Sequence, residues 1–192
     1  MAYVNKNFSW ALLLILLLFV FSSYARLSIM VTKSEIHTIC TKKRESSSLC
    51  FEVVKANPEI ARLDLSSLAK FFINYQAQNI SDTLKHFKLS GGYTPDINST
   101  YHLCVELYED AFNRRDSSFK YLTAKDYDGL NIMVGGTVSD MVTCTDDLST
   151  MKPIPQFFMT RSIVIENLSH IILTISECFL KEEKSPYCPP YV

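Results

Sequence analysis

Past residue 33, apolar positions recur every three or four residues, and short polar stretches holding proline or glycine divide them into blocks. That period belongs to helices with one buried face, and no alternating run of a half-buried strand stands out. The first block predicts a helical hairpin over about residues 34–57. Ser34 is placed to cap a short helix carrying Ile36, Ile39 and Cys40, and the polar run Lys42–Ser48 reads as its turn. A second helix with Cys50, Val53 and Val54 stops at Asn57-Pro58, because the residue before proline is driven out of the helical region.

Four longer blocks follow, over about residues 64–180. Asp64 is a good N-cap, with Leu63 and Leu68 at the two positions of a hydrophobic staple. Ala69, Ile73, Ala77, Ile80, Leu84 and Phe87 then form one stripe, ended by Gly91-Gly92 and Pro95. The next helix is expected from Ser99 to Leu122, with Leu103, Cys104, Leu107, Tyr108, Ala111 and Phe119 inward. Leu130, Val134, Thr137, Met141, Cys144 and Leu148 make the cleanest stripe of the chain, broken after Met151 by Pro153 and Pro155. Val164, Leu168, Ile171, Ile175 and Cys178 supply the last. Four long amphipathic helices with short connections predict antiparallel neighbours. The expected fold class is all-α: an N-terminal helical hairpin followed by an up-down-up-down four-helix bundle, disulfide-bridged.

The N-terminus departs from this pattern. A single charge, Lys6, precedes twelve apolar residues from Trp10 to Phe21, and small residues stand at Ser23 and Ala25. This is the layout of a secretory signal peptide over residues 1–25, with cleavage between Ala25 and Arg26. The run is too short to cross a bilayer, which takes about 20 apolar residues. No membrane contact is expected after cleavage, and residues 26–192 form the mature domain.

The full chain has 192 residues, 47% hydrophobic, with a net charge of −1. This balance excludes a basic nucleic-acid binder, a disordered chain and a multi-pass membrane protein. Six cysteines beside an export signal predict disulfides. Cys40 and Cys50 flank the hairpin turn. Cys104 lies near the start of one long helix and Cys144 near the end of the next, which in antiparallel neighbours is the same end of the bundle. Cys178 and Cys188 are left over, and a third, local bridge between them is one of two options, since they lie across a polar tail containing proline. A zinc site is disfavoured, because no Cys-x-x-Cys occurs and the His37/Cys40 and His102/Cys104 pairs lack a completing pair. Asn79, Asn98 and Asn167 head the glycosylation sequons, with Asn98 beside the most open loop.

With these cysteines goes local wording: Ile39-Cys40-Thr41-Lys42, Asn57-Pro58 with Asp64-Leu65, Cys104-Val105-Glu106-Leu107-Tyr108-Glu109-Asp110-Ala111, Lys125-Asp126-Tyr127, and Val142-Thr143-Cys144 with Asp147-Leu148. In these features, over about Ile36 to Leu180, the chain resembles the plant invertase/pectin methylesterase inhibitor family, with the pollen-type invertase-inhibitor-like members as the nearest subgroup. The resemblance implies a signal peptide, a hairpin and a disulfide-bridged four-helix bundle. It further implies secretion to the cell wall, a partner that is either pectin methylesterase or an acid invertase, and no cofactor or metal. Two features depart from the family. Its invertase inhibitors carry a Pro-Lys-Phe motif where this chain has Tyr127-Asp128-Gly129. Where many members read Ser-Ala-Ala, this chain has Gly135-Gly136, read either as close helix approach or as a kink.

Inhibition of pectin methylesterase by occupation of its active-site cleft is therefore the leading expectation. Acid invertase is the runner-up, and a helical secreted protein with no enzyme target is the third reading. An enzyme is disfavoured, since no Gly-x-Ser-x-Gly, His-Glu-x-x-His or phosphate-binding glycine loop occurs. The connection Lys125–Asn131 is expected as a polar loop, with Lys125, Asp126, Tyr127 and Asp128 as candidate target contacts. His86, His102 and His170 are candidates for tuning affinity in an acidic cell wall. Oligomeric state is not encoded in any of these patterns.

Overall fold

A computed structural model describes residues 30–90 and 99–181. The expectations at Ala25, Arg26, Asn98 and Cys188 lie outside the described residues. The elements are α1 (Lys33–Thr41), α2 (Arg44–Ala56), a 3-10 turn (Pro58–Arg62), α3 (Leu65–Leu89), α4 (Ser99–Ala124), α5 (Tyr127–Ser149) and α6 (Gln156–Ile175), the last running on into a π turn (Ser176–Leu180). Among the described residues there is no β strand. Met30 and Asp64 form an isolated bridge, and the Val31 amide donates to the Leu63 carbonyl at 2.7 Å, so the chain before α1 is tied to the start of α3.

The hairpin differs from the expectation at two points. Its cap is Thr32, not Ser34. Thr32 Oγ1 accepts from the Glu35 amide at 3.1 Å while the Glu35 carboxylate accepts from the Thr32 amide at 2.7 Å, a reciprocal capping box. Ser34 falls inside the first turn. The expected seven-residue turn shrinks to Lys42-Lys43, and α2 begins at Arg44. Ser46 is buried, with its hydroxyl donating to the Lys43 carbonyl at 3.1 Å, so a residue that reads as turn material instead faces inward. The end of α2 before Asn57-Pro58 agrees with the sequence reading.

The long helices make a closed ring of neighbours, α3 to α4 to α5 to α6 and back to α3, while the hairpin packs on α6. This is the up-down-up-down bundle. Asp64 caps α3 by accepting from the Ser67 amide at 2.6 Å. Every member of the predicted α5 stripe is buried. In α4 the buried face is wider than predicted: Cys104, Tyr108 and Ala111 are joined by Val105, Ser118 and Leu122, whereas Leu103, Leu107 and Phe119 are half-buried. A bundle helix touches two neighbours, so its inward face spreads beyond one stripe. Helix α6 with its π turn is long and apolar enough to span a membrane by length and composition, yet half of its most apolar stretch is buried against α3, α5 and the hairpin. Contact on three sides is why it is apolar nearly all round.

The core falls into two clusters. At the hairpin end, Ile39, Val53, Ile60, Phe72, Leu130, Leu168 and Ile172 pack together. At the other end, Phe87 stacks on Phe158 with centroids 3.8 Å apart, Tyr108 meets Phe87 edge-on, and Met141 and Leu148 complete the layer. Two pairs of buried polar groups meet across helices: Tyr108 Oη lies 3.0 Å from Ser162 Oγ, and Gln76 Nε2 donates to Ser169 Oγ at 2.5 Å. Among the described residues two disulfides have both partners, Cys40–Cys50 within the hairpin and Cys104–Cys144 between α4 and α5 at the end remote from the hairpin. Cys178, buried in the π turn, is also disulfide-bonded.

Candidate functional site

No three His, Cys, Asp or Glu side chains among the described residues are grouped to hold a metal ion. The histidines are held apart on different elements. His37 meets the edge of Phe51 at 5.9 Å, His86 meets Phe157 at 4.8 Å, and His102 sits 3.4 Å from Glu106. His170 lies between Lys43 and Glu166 at the junction of hairpin and bundle.

The four predicted contact residues lie together at the hairpin end of the bundle. The connection expected over Lys125–Asn131 is only Lys125-Asp126, because α5 begins at Tyr127. Lys125 turns the chain with φ 57°, the left-handed conformation that commonly ends a helix. Asp126 caps α5, its carboxylate accepting from the Gly129 amide at 2.9 Å. Tyr127 is half-buried against the hairpin-end core, and Asp128 is exposed and paired with Lys181 of the segment after the π turn. Gly129 permits this tight turn, since a Cβ there would stand 2.4 Å from the Tyr121 ring. The structure thus brings Lys125, Asp126 and Asp128 to one solvent-facing turn and turns Tyr127 partly inward.

From this turn the outer side of α5 runs as a ridge the length of the bundle, through Asp128, Ile132, Ser139, Val142 and Asp146. Ile132 is 68% exposed and Val142 39%. Along the seam with α4, Arg114 forms an ion pair with Asp140, a carboxylate only 11% exposed. Burial holds the Asp140 carboxyl above the ordinary carboxylate range, Arg114 opposes this, and Asp110 adds to it. Gly136 leaves the room this pair needs, because a Cβ there would come within 2.9 Å of Arg114 Nε. Gly135 faces open space, and α5 runs unbroken through both glycines. Close approach, by a side chain of α4, is the reading that fits.

The Arg114–Asp140 pair escaped the sequence reading. Its one signal is Gly136 and Asp140 four residues apart on the same side of α5, a polar position that a hydrophobic pattern assigns to solvent. Of the described sequons, Asn79 lies in mid-α3 with its Nδ2 donating to the Tyr75 carbonyl at 2.8 Å, and Asn167 is half-buried on α6.

The family profile described as plant invertase/pectin methylesterase inhibitor matches residues 34–175. The chain belongs to that family. Within the family it is 31% identical to pectinesterase inhibitor 1 of Arabidopsis thaliana over 173 residues, 89% of this chain and 94% of the other. It is 30% identical to the pectinesterase inhibitor of Actinidia deliciosa over 166 residues, 85% and 89% of the two chains. Among solved structures of the family, a mutant form of a pectin methylesterase inhibitor from Arabidopsis superposes with a TM-score of 0.65 at 30% identity, covering 74% of this chain and 95% of that one. A further Arabidopsis thaliana pectin methylesterase inhibitor superposes at 0.58 and 29% identity, over 80% and 100%.

Proposed function

We propose that the chain is a secreted inhibitor of pectin methylesterase, exported by residues 1–25. In this reading, residues 26–192 block the enzyme's active-site cleft with the α5 ridge and the Lys125–Asp128 turn. The observation that carries the reading is similarity at 30–31% identity, over most of both lengths, to two proteins named as pectinesterase inhibitors. A rigid bundle suits the task, because little conformational entropy is lost when a pre-organised surface binds. A standard interface of about 1,600 Å² is the scale expected. Against invertase stands the Tyr127-Asp128-Gly129 segment: it is the first turn of α5, with Tyr127 packed inward and Gly129 against Tyr121, rather than a projecting plug. The leader supports secretion, and a cell-wall destination agrees with such a target.

The test is a panel of purified pectin methylesterases and acid invertases assayed with the protein at several acidic pH values. Loss of demethylesterification with sucrose hydrolysis intact is expected. Loss of sucrose hydrolysis alone would transfer the reading to invertase, and no effect on either would leave a helical protein without an enzyme target.

A further inference from the structure

We infer that His170 latches the N-terminal hairpin to the bundle in a pH-dependent way: its neutral ring accepts from Lys43 and holds the α1–α2 turn on α6, and protonation hands the same nitrogen to Glu166 and releases the turn. The geometry is unusual in that two partners of opposite charge address one atom. Lys43 Nζ is within hydrogen-bonding distance of His170 Nε2, and Glu166 Oε1 stands 3.4 Å from that same nitrogen. An ammonium is donor only and a carboxylate acceptor only. Lys43 can therefore pair with Nε2 only while it carries a lone pair, and Glu166 only once it carries a proton. The two contacts exclude each other, and the proton chooses between them.

The location turns that choice into a mechanical one. His170 and Glu166 are one turn apart on α6, whereas Lys43 sits in the two-residue break between α1 and α2. The His170 side chain is 18% exposed, so water screens the choice only partly. The Cys40–Cys50 disulfide joins the two hairpin helices beside the break, so a release at Lys43 acts on both. The charged groups facing His170 are Lys43 from the break, Glu45 from α2 and Glu166 from its own helix. Burial first, and Lys43 second, hold the ring below the ordinary histidine value of 6.5, while Glu166 and Glu45 oppose them. A depressed folded-state value means that unfolding or undocking takes up a proton. The latch therefore contributes fully above 6.5 and is lost as pH falls through the lowered value. Acidification loosens the hairpin. This inference concerns the hairpin's docking on α6 and does not depend on which enzyme is the target.

The experiment follows amide hydrogen exchange of residues 33–56 against α4 and α5 in the intact secreted chain, from neutral to mildly acidic pH, with the His170 ring titrated by NMR in parallel. Exchange is corrected for its intrinsic pH dependence. Hairpin protection is expected to fall about tenfold across the His170 midpoint while α4 and α5 stay unchanged. In H170Q, which cannot gain the proton, hairpin protection should be flat with pH. In K43M the His170 midpoint should rise toward the ordinary histidine value. Hairpin protection that ignores pH in the wild type, or that changes at a midpoint different from that of His170, would overturn the latch. Should the H170Q hairpin be open at every pH, the K43M titration decides, and an unmoved His170 midpoint refutes the proposal.

Discussion

At the scale of single residues, three glycines on one helix separate into different roles, and substitution distinguishes them. Gly129 lies against a half-buried ring, with Tyr121 Cδ1, Cε1 and Cγ all within 2.8 Å of where a Cβ would be. A half-buried aromatic ring packed against the core cannot swing aside as a chain end does, so Gly129→Ala should cost about 1–3 kcal/mol. Gly135 has open space, and Gly135→Ala should gain about 0.5–1 kcal/mol from helix propensity alone. Urea unfolding of the two variants checks this, and equal effects would mean that the α4–α5 turn adapts freely. Gly136 is intermediate, since the atoms it would meet belong to the Arg114 guanidinium, itself held by Asp140. Asp126 shows the same division between surface and structure. It is exposed, as a target contact must be, yet it also caps α5.

At the scale of elements, the hairpin and the bundle are joined differently from the way each is held together. The hairpin closes on itself through Cys40–Cys50, a loop with a sequence separation of 10, for which loop-closure entropy gives about 3 kcal/mol. It docks on α6 through a smaller set of apolar contacts and the Lys43–His170 pair. Replacing both cysteines with alanine should therefore speed amide exchange in α1 and α2 while α4 and α5 keep their protection. Uniform loss of protection in all six helices would show instead that hairpin and bundle unfold as one unit. The capping box at Thr32 and Glu35 and the cap at Asp64 were both written locally. Thr32-x-x-Glu35 is the stronger signature of the two, because two orphan backbone groups are satisfied reciprocally, and it outcompetes the lone Ser34.

For the whole molecule, the bridge that matters is Cys104–Cys144. It spans a sequence separation of 40 and fastens α4 to α5 beside the Phe87, Tyr108 and Phe158 cluster. Loop-closure entropy puts it at about 4 kcal/mol, which corresponds to about 10 °C in melting temperature for a domain of this size. Selective removal of this pair should lower the melting temperature by that order and weaken inhibition, because a looser bundle pays more ordering entropy on binding. An unchanged melting temperature after confirmed loss of the bridge would contradict this account.

The all-α class, the count and approximate extents of the long helices, the α5 stripe and the cap at Asp64 were all legible in the chain, because helical period and capping are short-range properties. So was the family resemblance, which rests on cysteines and local wording rather than on contacts. Other features depended on what lies across from each residue. Ser46 reads as turn material and becomes buried helix, and Leu103 reads as core and ends half-exposed, because the partner helix decides which side of an amphipathic surface is covered. Asp140 reads as solvent-facing until Arg114, 26 positions earlier, is brought against it. His170 reads as one more surface histidine until the hairpin folds back and sets Lys43 on its ring. Local patterns determined the elements, and only the packing of distant segments decided which charges had to meet in a low-dielectric interior, where their pairing acquires energy.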